Sequence, residues 1–473
     1  MANNSNRFIF RSREALNDPE LQSALNNASG GFSKKRKLAV DAVSNFDALK
    51  GQAQAIKKHT LDNLSFYLQQ FEENVAQSGG TVHWAETPEA LNEIVLGICK
   101  AEGAKTITKG KSMISEETEL NQFLQENHYA VTETDLGEYI IQLANEKPSH
   151  IIAPAAHKTK HQVRELFEKN HELGQRSLEE VSSLVNEARD VLRQKFLSAD
   201  VGITGANFLI ADTGSVVLVT NEGNGDLTAT LPKTHIVTAS IEKVIPDINS
   251  AAPFINILAR SATGQPISTY TTLFTGPKRN TDLDGPTNFH VILLDNGRSG
   301  LLGGPYSEML SCIRCGACLN HCPVYLSVGG HSYGWIYPGP MGSVLSPLLN
   351  SEKEFSELPN ASTFCGRCEE VCPMGIPLPQ LLRQLRNDQV TAESPTTLST
   401  LAIKAYQWVC RRPLVYRYIT SLSIKMLHLV KILKKLFRLK HHTRPCPLPE
   451  ATQTFLELYG SKRPNVNNCD GKS

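Results

Sequence analysis

No run of this chain holds the eighteen or so uncharged apolar residues that crossing a bilayer demands. Its first twenty residues, MANNSNRFIFRSREALNDPE, lack the apolar core of a secretory signal. Neither export nor membrane spanning is expected, and the cytoplasm, where thiols stay reduced, is the expected compartment. Ser-His-Asp and metal-hydrolase motifs are missing, as is a G-x-G-x-x-G opening a helix, so no hydrolytic, flavin or nicotinamide site is visible. Acidic residues are absent from Arg411 to Arg444, a stretch that carries ten Lys or Arg. With those ten set aside from a net charge of +1, the rest of the chain carries −9. Nucleic acid is therefore not an expected partner, since the body is acidic.

What is present is unevenly placed. The chain has 473 residues, 40% of them hydrophobic, which exceeds a single core and implies two or three domains. Seven of its eleven cysteines fall in one region. Cys312, Cys315, Cys318 and Cys322 follow C-x2-C-x2-C-x3-C and precede Pro323; Cys365, Cys368 and Cys372 repeat the pattern before Pro373, with Ser362 where its first cysteine would stand. Soft thiolates suit cluster irons, and in this bacterial ferredoxin pattern the fourth cysteine crosses to the other cluster. The spacing thus assigns Cys312, Cys315, Cys318 and Cys372 to a first 4Fe–4S cluster, and Cys322, Cys365 and Cys368 to a second. The second set has three cysteines, so a 3Fe–4S cluster, a 4Fe–4S cluster with a non-cysteine or open position, and a ligand from Cys410, Cys446 or Cys469 all stay open. Structural zinc also takes C-x2-C pairs, but seven cysteines with two C-P endings fit a four-coordinate ion poorly.

Upstream, the polar residues 1–50, with a basic patch at Lys34–Lys37, read as a mobile or helical arm. AIKKHTLDNLSFYLQQFEENVAQ has helical spacing and stops at Gly79-Gly80. TVHWA, TITKG, YAVTETD and HIIAPAA read as strands, and TPEALNEIVLGICKAEG and SEETELNQFLQEN as helices, with further helices at about 158–169 and 178–197. This alternation predicts an α/β domain with a largely parallel sheet. NFLIADTGSVVLVTNEGNG reads as two strands joined by Asp212-Thr213-Gly214, and HVILLDNGRS as another buried strand. The expected organisation is an arm over 1–50, an α/β domain over 51–300, a helical double-cluster ferredoxin-like domain over 301–395 and a basic helical region over 396–473.

Two features outside the cysteines offer sites. Lys109, Lys111 and Ser112, with the turn Asp212–Ser215 and the loop Asn221–Gly225, sit where an open sheet gathers anionic ligands, and Glu222 would serve as a base if burial raised its pKa. The alternative is that these are turns closing hairpins. In the tail, Lys425, His428, Lys431, Lys434, Lys435 and Arg438 alternate with Leu422, Met426, Leu429, Leu433, Leu436 and Phe437. That writing suits an anionic membrane surface or an acidic partner helix, or else a helix packed on the body. Between the two cysteine runs, the glycines and His331 of VGGHSYGWIYPGPMGSVLSPLL read either as donors near the clusters or as a packed connector.

The stretches GKSMISEETELN, TETDLGEYI, ITGANFLIADTGSVVLVTNEGNG, LPKTHI, FHVILLDNGRS, CIRCGACLNHCPVY, VGGHSYGWIYPGPMGSVLSPLL and STFCGRCEEVCP together resemble the lactate utilisation iron–sulfur protein B family. That resemblance implies an N-terminal lactate-utilisation domain similar to ribose-phosphate isomerase, glucosamine-phosphate deaminase and CoA transferases. It also implies two 4Fe–4S clusters, a short C-terminal region, and action with partner proteins A and C in oxidising L-lactate to pyruvate. Three cysteines in the second run match the family; the strongly basic tail is not implied by it. The expected function is a non-autonomous electron-transfer subunit of an L-lactate-oxidising complex, cytoplasmic with peripheral contact at the inner membrane surface. The alternative is a small-anion-binding or transferase-like module with structural or sensory clusters.

Overall fold

The computed structural model describes residues 7–350, 353–392, 397–437 and 459, without side chains at 27–30, 353–354, 390–392, 397–400, 425 and 427–437. Residues 1–389 form one compact unit and 390–473 a second. The larger unit is built on a six-stranded sheet. Its strands, in spatial order, are β1 (Thr81–Ala85), β10 (Asn288–Leu294), β7 (Thr234–Ser240), β4 (Val201–Gly205), β2 (Thr106–Gly110) and β3 (Ala130–Glu133), and every neighbouring pair is parallel. Strands β4 and β7 are buried at every position, as expected for a sheet covered on both faces. A second sheet holds β8 (Val244–Ile245), β5 (Phe208–Ile210), β6 (Ser215–Thr220) and β9 (Tyr270–Phe274). In it β5 and β6 form the antiparallel hairpin expected around Asp212-Thr213-Gly214.

Three expectations need correction. HIIAPAA is not a strand; 149–156 is a bent loop. His150 Nδ1 accepts from the backbone N–H of Ile152 (3.0 Å) and Ala153 (3.2 Å), and Pro154 has no donor for a ladder. The apolar residues of this loop, Ile151 and Ile152, pack on the cysteine region instead. The helix expected over SEETELNQFLQEN breaks into Met113–Glu117 and Leu120–Glu126, because Glu119 turns left-handed at φ 51°. The long helix before Gly79 divides into Phe46–Asp62 and Leu64–Gln77 at Asn63, whose Nδ2 donates to the His59 carbonyl (2.9 Å).

Residues 7–50, the described part of the arm, take the helical option. Helices Phe8–Asn17 and Pro19–Asp41 lie against the cysteine region: the Phe8 ring packs tilted 5.1 Å from that of Tyr333, and Arg36 of the basic patch donates to the Val371 carbonyl at 2.8 Å. One hydrophobic cluster joins Phe208, Ile210 and Phe254 to Met309, Ile313, Cys315, Tyr337, Met341 and Leu381, so the sheets and the cysteine-bearing segment share a core.

Charge crosses the same boundary. Arg298, fully buried after β10, donates to both oxygens of Glu117 (2.9 and 2.7 Å) and lies 3.3 Å from Glu242. Glu117 also accepts from Tyr337 (2.7 Å) and Asn296 (2.7 Å), while Glu242 meets Arg314 at 3.4 Å and its carbonyl accepts from Lys57. Burial opposes the charge on Glu242, but Arg298, Arg314 and Lys243 outweigh it and hold the carboxyl down at about 2. Its contribution to stability is therefore present above about pH 4.5, the ordinary value, and is lost as pH falls toward 2.

The smaller unit contains helices Thr397–Cys410 and Pro413–Phe437. Leu401, Tyr406, Trp408, Leu414 and Tyr418 on them are exposed. Among the described residues no helix is long and apolar enough to cross a membrane. The backbone at Lys425, His428, Lys431, Lys434 and Lys435 is helical, but their side chains, and Arg438 altogether, lie outside the described residues.

Removing one partner of a buried charge network leaves the others uncompensated. Arg298→Met is expected to lower stability by about 3–5 kcal/mol in urea unfolding of the full chain. A loss under about 1 kcal/mol would mean the network behaves as an exposed pair does.

Candidate metal centres and an adjoining cavity

The two cysteine runs fold into matching loops. Arg314 and Gly316 flank Cys315 with φ 58° and 72°, and Phe364 and Gly366 flank Cys365 with φ 54° and 80°. Two left-handed residues either side of a cysteine curl the backbone around its sulfur, which glycine tolerates at no cost. Short helices then carry the next cysteine of each run, Ala317–Asn320 with Cys318 and Arg367–Glu370 with Cys368. Cys322 stands just before Pro323, which opens the helix Pro323–Val328. The loops are clamped from outside by cation–aromatic contacts: Arg314 lies 4.9 Å from the Tyr337 ring, and Arg386 and Arg383 lie 4.2 and 5.3 Å from that of Phe364.

The sulfurs fall into two groups. Cys312, Cys315, Cys318 and Cys372 line one small cavity walled by Ile151, Met309, Leu319 and Met341. Cys322, Cys365 and Cys368 are electrostatic neighbours of one another. Among the described residues no three cysteine sulfurs approach within 4.8 Å. A single zinc ion, bonded at about 2.3 Å to each sulfur, would draw them to roughly 3.8 Å. The wider spread suits a multinuclear centre. At the vacant place in the second run, Ser362 Oγ accepts from the Phe364 N–H at 3.1 Å. Of the remaining cysteines, Cys99 is buried in the sheet core, Cys410 is exposed in the smaller unit, and Cys446 and Cys469 lie outside the described residues.

Burial pushes the Cys315 and Cys368 thiols up to about 12 and that of Cys372 to about 11, and raises Cys318 and Cys322 as well. Cys365 is exposed, and the backbone N–H of Arg367 lowers its pKa. Cations crowd the first group. Lys57, inside the helix Phe46–Asp62, and Lys243, in the tight turn Ile241–Lys243 that follows β7, are pulled down by burial to about 7 and about 8.

Beside the first group, a cavity of about 610 Å³ opens beyond the carboxyl ends of β2, β4 and β7. Lys111, Asn207, Thr238 and Lys243 reach it from the sheet, and Arg314 and Cys315 from the cysteine loop. Of the residues expected at an anion site, Lys109 is absent from its wall. Lys109 is fully buried, and Glu116 (2.6 Å) and Glu133 (2.7 Å) already hold its charge. Lys111 is paired with Asp135 and, at 3.2 Å, with Glu222. Ser112 caps the helix Met113–Glu117 and shares a 2.7 Å hydrogen bond with Thr238. Glu222 is 61% exposed at the mouth, so the burial on which its reading as a base rested is not there. The Asp212–Ser215 turn is structural: a Cβ at Gly214 would meet the Val75 nitrogen at 2.4 Å. His331 is bonded to the Lys147 carbonyl (2.7 Å) and lines neither the sulfur cavity nor this one. Arg298, Glu117, Glu242, Lys243 and Arg314 escaped sequence reasoning, because single charges inside apolar stretches carry no spacing signal.

These exposures predict the chemistry of the metal-free protein. Iodoacetamide at pH 8 should alkylate Cys365 at least about tenfold faster than Cys315 or Cys368, read by peptide mass spectrometry. Metal loading should release protons, because the raised thiols must give them up to become ligands.

The LUD domain model matches residues 68–294 and the 4Fe-4S dicluster domain model residues 308–376. Lactate utilization protein B of Bacillus velezensis is 46% identical over 412 residues, 87% of this chain and 86% of that one. The protein of that name from Bacillus subtilis is 45% identical over 401 residues, 84% and 83% of the two chains. A solved DUF162 family protein from Deinococcus radiodurans is 15% identical with a TM-score of 0.28, covering 49% of this chain and 98% of that one. With this identity over more than four-fifths of both chains, the chain belongs to the lactate utilization protein B family.

Proposed function

We propose that the chain is the iron–sulfur electron-transfer component of a complex that oxidises L-lactate to pyruvate, working with the family's proteins A and C. The observation that carries this reading is the pair of matching cysteine loops set in one core, with four sulfurs in one group and three in the other. Cys312, Cys315, Cys318 and Cys372 would hold the first 4Fe–4S cluster, and Cys322, Cys365 and Cys368 the second, its fourth position not filled by cysteine. When bound, such clusters pass electrons singly, which suits a two-electron donor feeding two adjacent carriers. Arg36, Lys57, Lys243 and Arg314 supply positive charge near the first group. Met309, Leu319 and Met341 keep water from it. Exposed Cys365 brings the second group toward solvent, where an acceptor can approach.

The finer fold reading goes with this one: the parallel sheet over 51–300 belongs with the ribose-phosphate isomerase and CoA transferase type, followed by the cluster domain over 301–395 and the basic region over 396–473. The ten cations between Arg411 and Arg444 support a cytoplasmic protein with peripheral contact at an anionic inner membrane surface.

Anaerobically purified protein should contain roughly seven to eight irons per chain and show two interacting EPR signals on reduction. Adding L-lactate with proteins A and C should reduce them. Zinc in place of iron, one centre alone, or clusters indifferent to lactate and partners would overturn the proposal. Ser362→Cys offers the second group a fourth thiolate and should slow its loss in air by several-fold, leaving the first signal unchanged.

A further inference from the structure

The relay needs no open space, yet a cavity of about 610 Å³ adjoins it. It lies where open parallel sheets bind ligands, beyond the carboxyl ends of adjacent strands. Its volume falls in the ~300–1,000 Å³ range of ligand pockets and exceeds what a three-carbon acid fills. Apolar side chains such as Ile152 and Leu258 form much of the wall.

The polar groups in it are short of partners. Lys243 is only 9% exposed, yet its ammonium makes no hydrogen bond or ion pair among the described residues. This sets it apart from Lys109 and Lys111, whose charges are met by carboxylates. Arg314 spends its five donors thinly, reaching Glu242 at 3.4 Å and the Met341 sulfur at 3.8 Å. Thr220 Oγ1 is buried on the same wall with no partner. Glu242 is the one carboxylate acting on both cations, and it is already met by Arg298; burying more positive than negative charge is costly, and a ligand anion relieves that cost.

We propose that this cavity binds an organic carboxylate, its acid group held by Lys243 and Arg314 and its body against the apolar wall. Because Arg314 and Cys315 both line the cavity, the ligand would touch the loop of the first cysteine group. Binding does not depend on the relay reading; the meaning of that contact does.

The test uses the full chain, purified anaerobically with its metal centres. L-lactate, pyruvate and phenylpyruvate are titrated by calorimetry, with inorganic phosphate and sulfate as separate arms. The line shape of the EPR signal that Cys315→Ser abolishes is followed in parallel. One carboxylate should bind per chain and shift that line shape. Lys243→Met should weaken binding at least tenfold and Lys243→Arg less; Thr220→Val, a near-isosteric change, should weaken it several-fold. Preference for phenylpyruvate would assign a larger ligand and preference for L-lactate the substrate itself; either upholds the site. The inference falls if no carboxylate binds, if phosphate and sulfate bind as well as the carboxylates, or if Lys243→Met and Thr220→Val both bind like the parent. Should Lys243→Met lose its metal or its fold, Thr220→Val decides. Lactate-driven reduction without carboxylate binding here removes this inference and leaves the relay; binding with clusters indifferent to lactate does the reverse.

Discussion

The chain Glu117–Arg298–Glu242–Arg314 is the constraint around which the larger unit is arranged. Four charges lie inside the protein, each almost wholly removed from water. Inside a protein such charges persist only when their geometry lets each neutralise the next. Glu117 comes from the segment after β2, Glu242 from the end of β7, Arg298 from beyond β10 and Arg314 from between two cysteines. Shifting any one of these elements would strand a charge. The carboxyl edge of the sheet and the first cysteine loop are therefore fixed to each other. Glu117 closes the short helix Met113–Glu117, just before the left-handed turn at Glu119.

That network also explains why the most recognisable stretches of the sequence are far apart along the chain. GKSMISEETELN supplies Glu117, FHVILLDNGRS supplies Arg298, CIRCGACLNHCPVY supplies Arg314 and VGGHSYGWIYPGPMG supplies Tyr337, and all meet at one place. The glycines among them follow from close packing: a Cβ at Gly205 would sit 2.5 Å from the Lys111 carbonyl oxygen, and one at Gly342 would sit 1.6 Å from that of Tyr337.

Much of this was readable from sequence where the physics is periodic or local. Strands with apolar runs, the Asp-Thr-Gly turn and the cysteine spacing each leave a pattern within about a dozen residues. HIIAPAA misled because an apolar run reads alike whether it enters a sheet or covers a neighbouring loop, and only His150 Nδ1, turned on its own backbone, marks the difference. Lys109 looked like an anion site because a lysine at a strand end is usually solvated, yet Glu116 and Glu133, seven and twenty-four residues away, neutralise it within the protein. Pairings over such separations have no one-dimensional signature. The cavity was legible only as a rule about sheet edges, and its actual cations, Lys243 and Arg314, come from a strand end and a cysteine loop.

The electrostatics of the first cysteine group tie metal loading to this architecture. Without iron, its buried thiols are neutral at physiological pH, while Arg314 keeps its charge against the cost of burial through Tyr337, Cys312 and Glu242, and Lys57 and Lys243 are pulled toward neutrality by desolvation. The protein thus surrounds a neutral pocket with cations that have one carboxylate, Glu242, between them. A bound iron–sulfur centre would take these sulfurs as thiolates, and their negative charge among those cations would draw the lysines back toward their protonated forms. Folding of the interface and occupation of such a centre would then reinforce each other. Among the described residues the second group has no comparable cluster of buried cations, and it includes the exposed Cys365. The two cysteine groups thus differ, one set among buried cations and the other reaching solvent, and the second also carries serine, not cysteine, at position 362.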